Sequence, residues 1–157
     1  MIQQGVCLKA LNSIPTLPEH VKLSELPKEA RDKFLEVLRA EIELDLAKGT
    51  YDNIRRYASD TDEFVRKNTY IILGKIYSTH FDLKDKVYFA VDKLVKDTNS
   101  QIRHTAVQAV GELMKLDPRK AVGLIGQVAQ SDLLWLPREA FDLARRMGKK
   151  IINPFSE

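Results

Sequence analysis

The side chains best suited to chemistry are thinly spread. The three histidines stand at positions 20, 80 and 104, and the one cysteine is Cys7. No His/Glu/Cys grouping has the spacing of a metal site. No glycine-rich loop is present to cradle phosphates, and no serine elbow to present a nucleophile. Glu41, Glu43 and Asp45 are spaced by two on a helical stretch, so adjacent members point to different sides and form no focused acid pair. The basic run Arg145, Arg146, Lys149 and Lys150 closes a helical stretch, where cations complement the negative end of the helix dipole; a phosphate-binding patch is the functional reading of the same cluster. The expectation is a chain with no catalytic residues, no metal and no cofactor, hence not an enzyme.

What does recur is an acid followed six residues later by an arginine: Asp60 and Arg66, Asp97 and Arg103, Asp132 and Arg138. An aspartate in a turn can accept backbone N–H groups at the start of a helix, where the dipole favours negative charge. An arginine one turn into that helix can then reach the aspartate of its own or a neighbouring unit. The arginines could instead meet an acidic partner, but their regular spacing assigns them to a ladder that holds units together.

The elements that would carry such a ladder are helical. The chain has 157 residues, 44% hydrophobic and 30% charged, with seven glycines and six prolines. That is one domain's length, enough to bury a core without disulfides or metal. Scarce glycine and proline argue against disorder and against many-turned β folds. No apolar run approaches the roughly 18–20 residues of a membrane span, and the start lacks a secretory pattern. The expected location is cytoplasmic. A net charge of +3 and a pI near 8.9 permit an acidic partner, without the Lys/Arg clustering that would indicate nucleic acid by itself.

Residues 1–26 read as an N-terminal extension, with a short helix near 4–11 and an extended stretch over 12–22. Ser24, ahead of Glu25, Leu26 and Pro27, is the expected N-cap of a long leading helix over 27–49. Its apolar face repeats every four residues at Ala30, Phe34, Leu38 and Ile42, with Leu35 and Leu46 beside them, and Gly49 is its stop. Further helices are expected over 51–58, 62–78, 83–96, 99–116, 118–130 and 133–148. Core positions are Phe64, Val65, Ile72, Leu73 and Ile76, then Val87, Ala90, Val91, Leu94 and Val95. Pro118 opens one helix, and Pro137 starts or kinks the last near Leu136. No stretch alternates long enough to be a strand. Residues 149–157 form a tail.

Residues 60–66 match residues 97–103 at a spacing of 37, and Leu73-Gly74 matches Val110-Gly111 at the same spacing. Two helices and two turns need about this length. In the third unit, Leu136, Ala140, Leu143 and Met147 align with Ile102, Ala106, Ala109 and Leu113 one residue earlier than the Asp132/Arg138 pair does, which marks a diverged or terminal repeat. With these pairs, Ala106 three residues after Arg103, and Gly74 and Gly111 each eight residues after an arginine, the stretch 50–148 resembles the HEAT-repeat family. The resemblance implies an all-α, right-handed α-α superhelix of about three antiparallel helix pairs. Each pair would bury its apolar face by stacking, with Gly74, Ala106, Ala109 and Gly111 allowing close approach.

In such stacks the second helices line the concave side. The polar positions that the ladder leaves there are Lys67, Asn68, Lys75, His104, Gln108, Glu112 and Lys115, the candidates for contact with a partner. A merely solvated helix face is the plainer reading of any one of them. Trp135, beside Leu133, Leu134 and Leu136, reads as a core or end-cap plug rather than a ligand platform, whereas an exposed tryptophan there would mark an interface. The expected function is a protein-interaction scaffold whose partner is another protein. The alternative is nucleic-acid binding, because residues 62–67 (Asp-Glu-Phe-Val-Arg-Lys) resemble the HEAT-like DNA alkylation-repair glycosylases. A third resemblance, on the repeat alone, is to small HEAT-like proteins associated with bilin attachment.

Overall fold

The computed structural model describes residues 22–151. Cys7, His20, the 4–11 helix, all but the last residue of the 12–22 stretch and the tail beyond 151 lie outside the described residues.

Among the described residues there are seven α-helices and no strand: α1 Lys28–Lys48, α2 Asp52–Ala58, α3 Glu63–Thr79, α4 Lys84–Leu94, α5 Ser100–Leu116, α6 Pro118–Ile125 and α7 Arg138–Arg146. Three 3-10 turns lie at Leu23–Glu25, Phe81–Leu83 and Gln130–Trp135. The fold is all-α and solenoid-like, built of consecutive helices joined by short turns and packed side by side. The contact between α3 and α5, the second helices of successive units, is the most extensive, and α1 lies against α2, α3 and α4.

The apolar periodicity explains the packing. Leu38, Ile42 and Leu46 of α1 are fully buried, whereas Phe34 packs on the core from its edge. Val87, Ala90, Val91, Leu94 and Val95 are all buried. Phe64 is partly buried against the core that holds Val65, Ile72, Leu73 and Ile76. Helix α5 buries nine residues between Ile102 and Met114, because α2, α3, α4, α6 and α7 all pack on it. Each fully buried Leu, Ile or Val contributes about 1.5–3 kcal/mol relative to exposure.

Glycine marks the closest approaches. A methyl placed on Gly74 would stand 3.1 Å from Cβ of Glu112, and one on Gly111 would stand 2.6 Å from Cδ and Cγ of Pro137. Helix α3 thus nears α5 at one glycine, and α5 nears the start of α7 at the next.

Several boundaries differ from the sequence expectation. Ser24 is not the cap of α1; it lies inside the Leu23–Glu25 turn, and Pro27 takes the N-cap position without a side-chain bond. Helix α1 does end at Gly49, whose φ of 74° is left-handed, a conformation glycine adopts without steric cost. Helix α6 stops at Ile125, short of 130, with Gly123 and Gly126 weakening the helix there. The expected helix over 133–148 is split. Leu136 and Pro137 are extended between a 3-10 turn and α7, since proline supplies no N–H to continue a helix.

Asp60 and Asp97 do not cap their helices directly. Asp62 caps α3 by accepting from the Phe64 N–H at 2.9 Å, and Asn99 caps α5 by accepting from the Ile102 N–H at 3.0 Å. Asp60 and Asp97 each accept the N–H two residues on, at 2.8 and 2.9 Å, closing the turn that presents the cap. The arginines also divide their work. Arg66 donates to the Asp60 backbone carbonyl at 2.7 Å. Arg103 donates to the carbonyls of Asp97 and Thr98 in its own unit, and through Nε to the Asp132 carboxylate of the next unit at 2.8 Å. The Asp97 carboxylate is instead gripped by Arg55 of α2, at 2.7 and 3.2 Å. Arg138 is the first residue of α7, whereas Arg66 and Arg103 are fourth in theirs, so the third unit starts its helix in a different register.

Candidate functional site

The polar face of the second helices is laid out by two capped starts. Beyond Asp62, the α3 stripe Glu63, Arg66, Lys67 and Tyr70 recurs at the helical spacing of three and four residues. Beyond Asn99, the α5 stripe Gln101, His104, Thr105 and Gln108 does the same. These two stripes are the walls of one cleft of about 160 Å³, and Trp135 closes its end. Corresponding lining positions of the two stripes are offset by 38 residues (Glu63 and Gln101, Tyr70 and Gln108), one more than the sequence repeat, so the two helices turn different flanks to the cleft.

The floor and one end are fixed. Thr105 Oγ1 lies 2.6 Å from the Ala58 carbonyl, which pins α5 to the end of α2. His104 is held from two sides. Its Nε2 is 3.4 Å from Oδ1 of the buried Asp132, and its ring stacks on the Trp135 indole with centroids 4.3 Å apart and an interplanar angle of 19°. Asp132 therefore serves Arg103 and His104 together. Tyr70 sits deeper: burial, and then the nearby Glu112 carboxylate, push its hydroxyl above the ordinary phenol range.

The remaining wall is free to bond outward. Among the described residues, Glu63, Lys67, Gln101 and Gln108 make no side-chain hydrogen bond. Lys67 is exposed, and Arg66 spends one nitrogen on the Asp60 carbonyl.

Of the seven sequence candidates, the cleft brings together Lys67, His104 and Gln108. Asn68 is turned back on its own helix, donating to the Phe64 carbonyl at 2.8 Å. Glu112 and Lys115 pair with each other at 3.1 Å further along α5, and Lys75 is exposed in the second half of α3. Sequence reasoning missed Glu63, Tyr70 and Gln101, and for Trp135 it preferred a plug to an interface residue. Trp135 is 45% exposed. Among the described residues no three His, Cys, Asp or Glu side chains converge as a metal group would require, and no helix is long and apolar enough to cross a membrane.

A family model described as non-SMC mitotic condensation complex subunit 1, Cnd1, matches residues 44–134. The chain belongs to the Cnd1 family. The match runs from the last turn of α1 through α6 and takes in both walls of the cleft, ending one residue before Trp135. Cnd1 membership agrees with the HEAT-like reading of the Asp/Arg repeat at the level of a HEAT-like helical family. No curated protein matches the chain, and no solved structure does.

Proposed function

We propose that this Cnd1-family chain is a protein-interaction module, one component of a larger assembly, which receives its partner in the cleft between α3 and α5. The observation that carries the reading is the set of uncommitted side chains on that face, Lys67, Gln101 and Gln108, beside a half-exposed tryptophan. Buried aromatic anchors ringed by polar groups are what protein interfaces use, and stacked helical units suit extended partners. The family's printed description, a subunit of a mitotic condensation complex, supports assembly with other chains and would put that assembly inside the cell. No catalytic role is proposed.

Co-purification tests it. The tagged wild-type chain should retain a stoichiometric protein, and the triple variant Lys67→Glu, Gln108→Ala, Trp135→Ala should lose it. A control substitution at exposed Lys86 of α4, Lys86→Glu, should leave it bound. Equal retention by the wild type and the triple variant would refute the cleft as the interface.

A further inference from the structure

The geometry points to the chemistry of the occupant: an extended, acidic peptide segment that carries one aromatic or large apolar side chain. This inference rests on the cleft being the protein interface. The two walls of the cleft carry different groups. On the α3 wall Arg66 and Lys67 outnumber Glu63, so the local field is positive. Against the α5 wall the His104–Trp135 stack offers a flat aromatic surface, with Trp135 45% exposed. At the two ends of the α5 stripe, Gln101 and Gln108 carry amide donors and acceptors that no described residue satisfies.

An amide side chain offers a donor and an acceptor at once, which matches the alternating N–H and C=O of an extended backbone. Each stripe spans seven helical positions, about 10 Å, or about three residues of extended chain. The segment's core would therefore be short. Its carboxylates would lie toward Arg66 and Lys67, and its aromatic side chain would lie over Trp135.

A nucleic-acid strand fits less well. Such a strand presents a charge at every nucleotide and binds along a run of cations. Here the cleft cations number two on one wall, Arg66 already donates to the Asp60 carbonyl, and Glu63 shares their stripe. The Asp132 carboxylate faces Arg103 and His104.

The test uses the full chain and an array of seven-residue peptides. The central residue is Trp, Phe, Leu or Ala, and the flanks are acidic, neutral or lysine-rich. Binding is read by fluorescence anisotropy, with a single-stranded DNA 12-mer as a further probe. The acidic peptides with a central aromatic residue should bind best, and their affinity should fall as salt rises. Lys67→Glu and Trp135→Ala should each weaken them about tenfold, the equivalent of about 1.4 kcal/mol. Circular dichroism of each variant would establish that the fold is intact. Equal binding of neutral or lysine-flanked peptides, indifference to both substitutions, or tighter binding of the 12-mer with the same cleft dependence would overturn the proposal. If no peptide binds while the triple variant still loses its co-purified protein, the interface stands and the occupant's chemistry is wrong. If both results fail, the cleft is not the interface.

Discussion

The imidazole of His104 lies flat against the indole of Trp135, so that a residue of α5 and one from the turn before α7 form a single aromatic surface. Because Trp135 is the chain's one tryptophan, the tryptophan emission reports on the surroundings of this one ring. His104→Ala should shift that emission to the red, raise quenching by acrylamide, and lower stability by about 0.5–1 kcal/mol, the usual worth of an aromatic pair. An unchanged spectrum would mean that the stack does not persist in solution.

The close approaches at Gly111 and Gly74 should respond differently to an added methyl. Gly111→Ala drives a Cβ to 2.6 Å from a proline ring that cannot swing aside, and a loss of about 1–3 kcal/mol is expected. At Gly74 the neighbour is Cβ of Glu112, at 3.1 Å. A shift of a few tenths of an ångström relieves that contact, and the gain of up to about 1 kcal/mol in helix propensity offsets it. Gly74→Ala should therefore be close to neutral. Urea midpoints of the two variants, measured side by side, decide the matter.

Asp45 supports α2 from a distance. Its carboxylate accepts from the backbone N–H groups of Asn53 and Ile54, at 2.7 and 3.0 Å, and from the Thr50 hydroxyl at 2.8 Å. Asp45→Ala leaves the first turn of α2 without an acceptor and should cost about 2 kcal/mol. Hydrogen exchange should show residues 52–58 losing protection ahead of the rest of the chain. Uniform loss across all helices would contradict a local capping role.

Acid should weaken the stack through Asp97. The Arg55 guanidinium bonded to it holds its carboxyl below the usual aspartate range of about 4, outweighing the opposing effect of burial. A carboxyl depressed in the folded state contributes stability above its unfolded pKa and loses it as pH falls through the folded one. Wild-type stability should therefore decline as pH drops below about 4. Asp97→Asn should be less stable at neutral pH and show a smaller decline. Parallel pH profiles of the two chains would count against the assignment.

Much of the helical stack was legible because burial follows simple periods. Leu38, Ile42 and Leu46 recur every four residues and are buried together, and the two glycines eight residues after an arginine mark close approaches. The cleft was half legible. Lys67, His104 and Gln108 stand on the polar face of their own helices, whereas the presence of both Glu63 and Gln101 in one cleft depends on how two helices are rotated against each other, which a repeat of 37 does not reveal.

The exposure of Trp135 was harder to read for a different reason. A four-residue apolar run looks buried throughout, but a 3-10 turn has three residues per turn. Leu133 and Leu136 therefore point inward, and Leu134 and Trp135 point outward. The capping role of Asp62 and Asn99 was obscured because a second aspartate, two residues earlier in each case, carries the more regular spacing.

The contact of Gly111 with Pro137 lies seven residues along α5 from His104, and Pro137 follows Trp135 by two. A rigid ring seated on a bare backbone thus anchors to α5 the turn that carries the indole. On the proposed reading, a segment that docks there would forfeit its own freedom but little of the host's, so selectivity would rest on shape and charge already in place rather than on adjustment after contact.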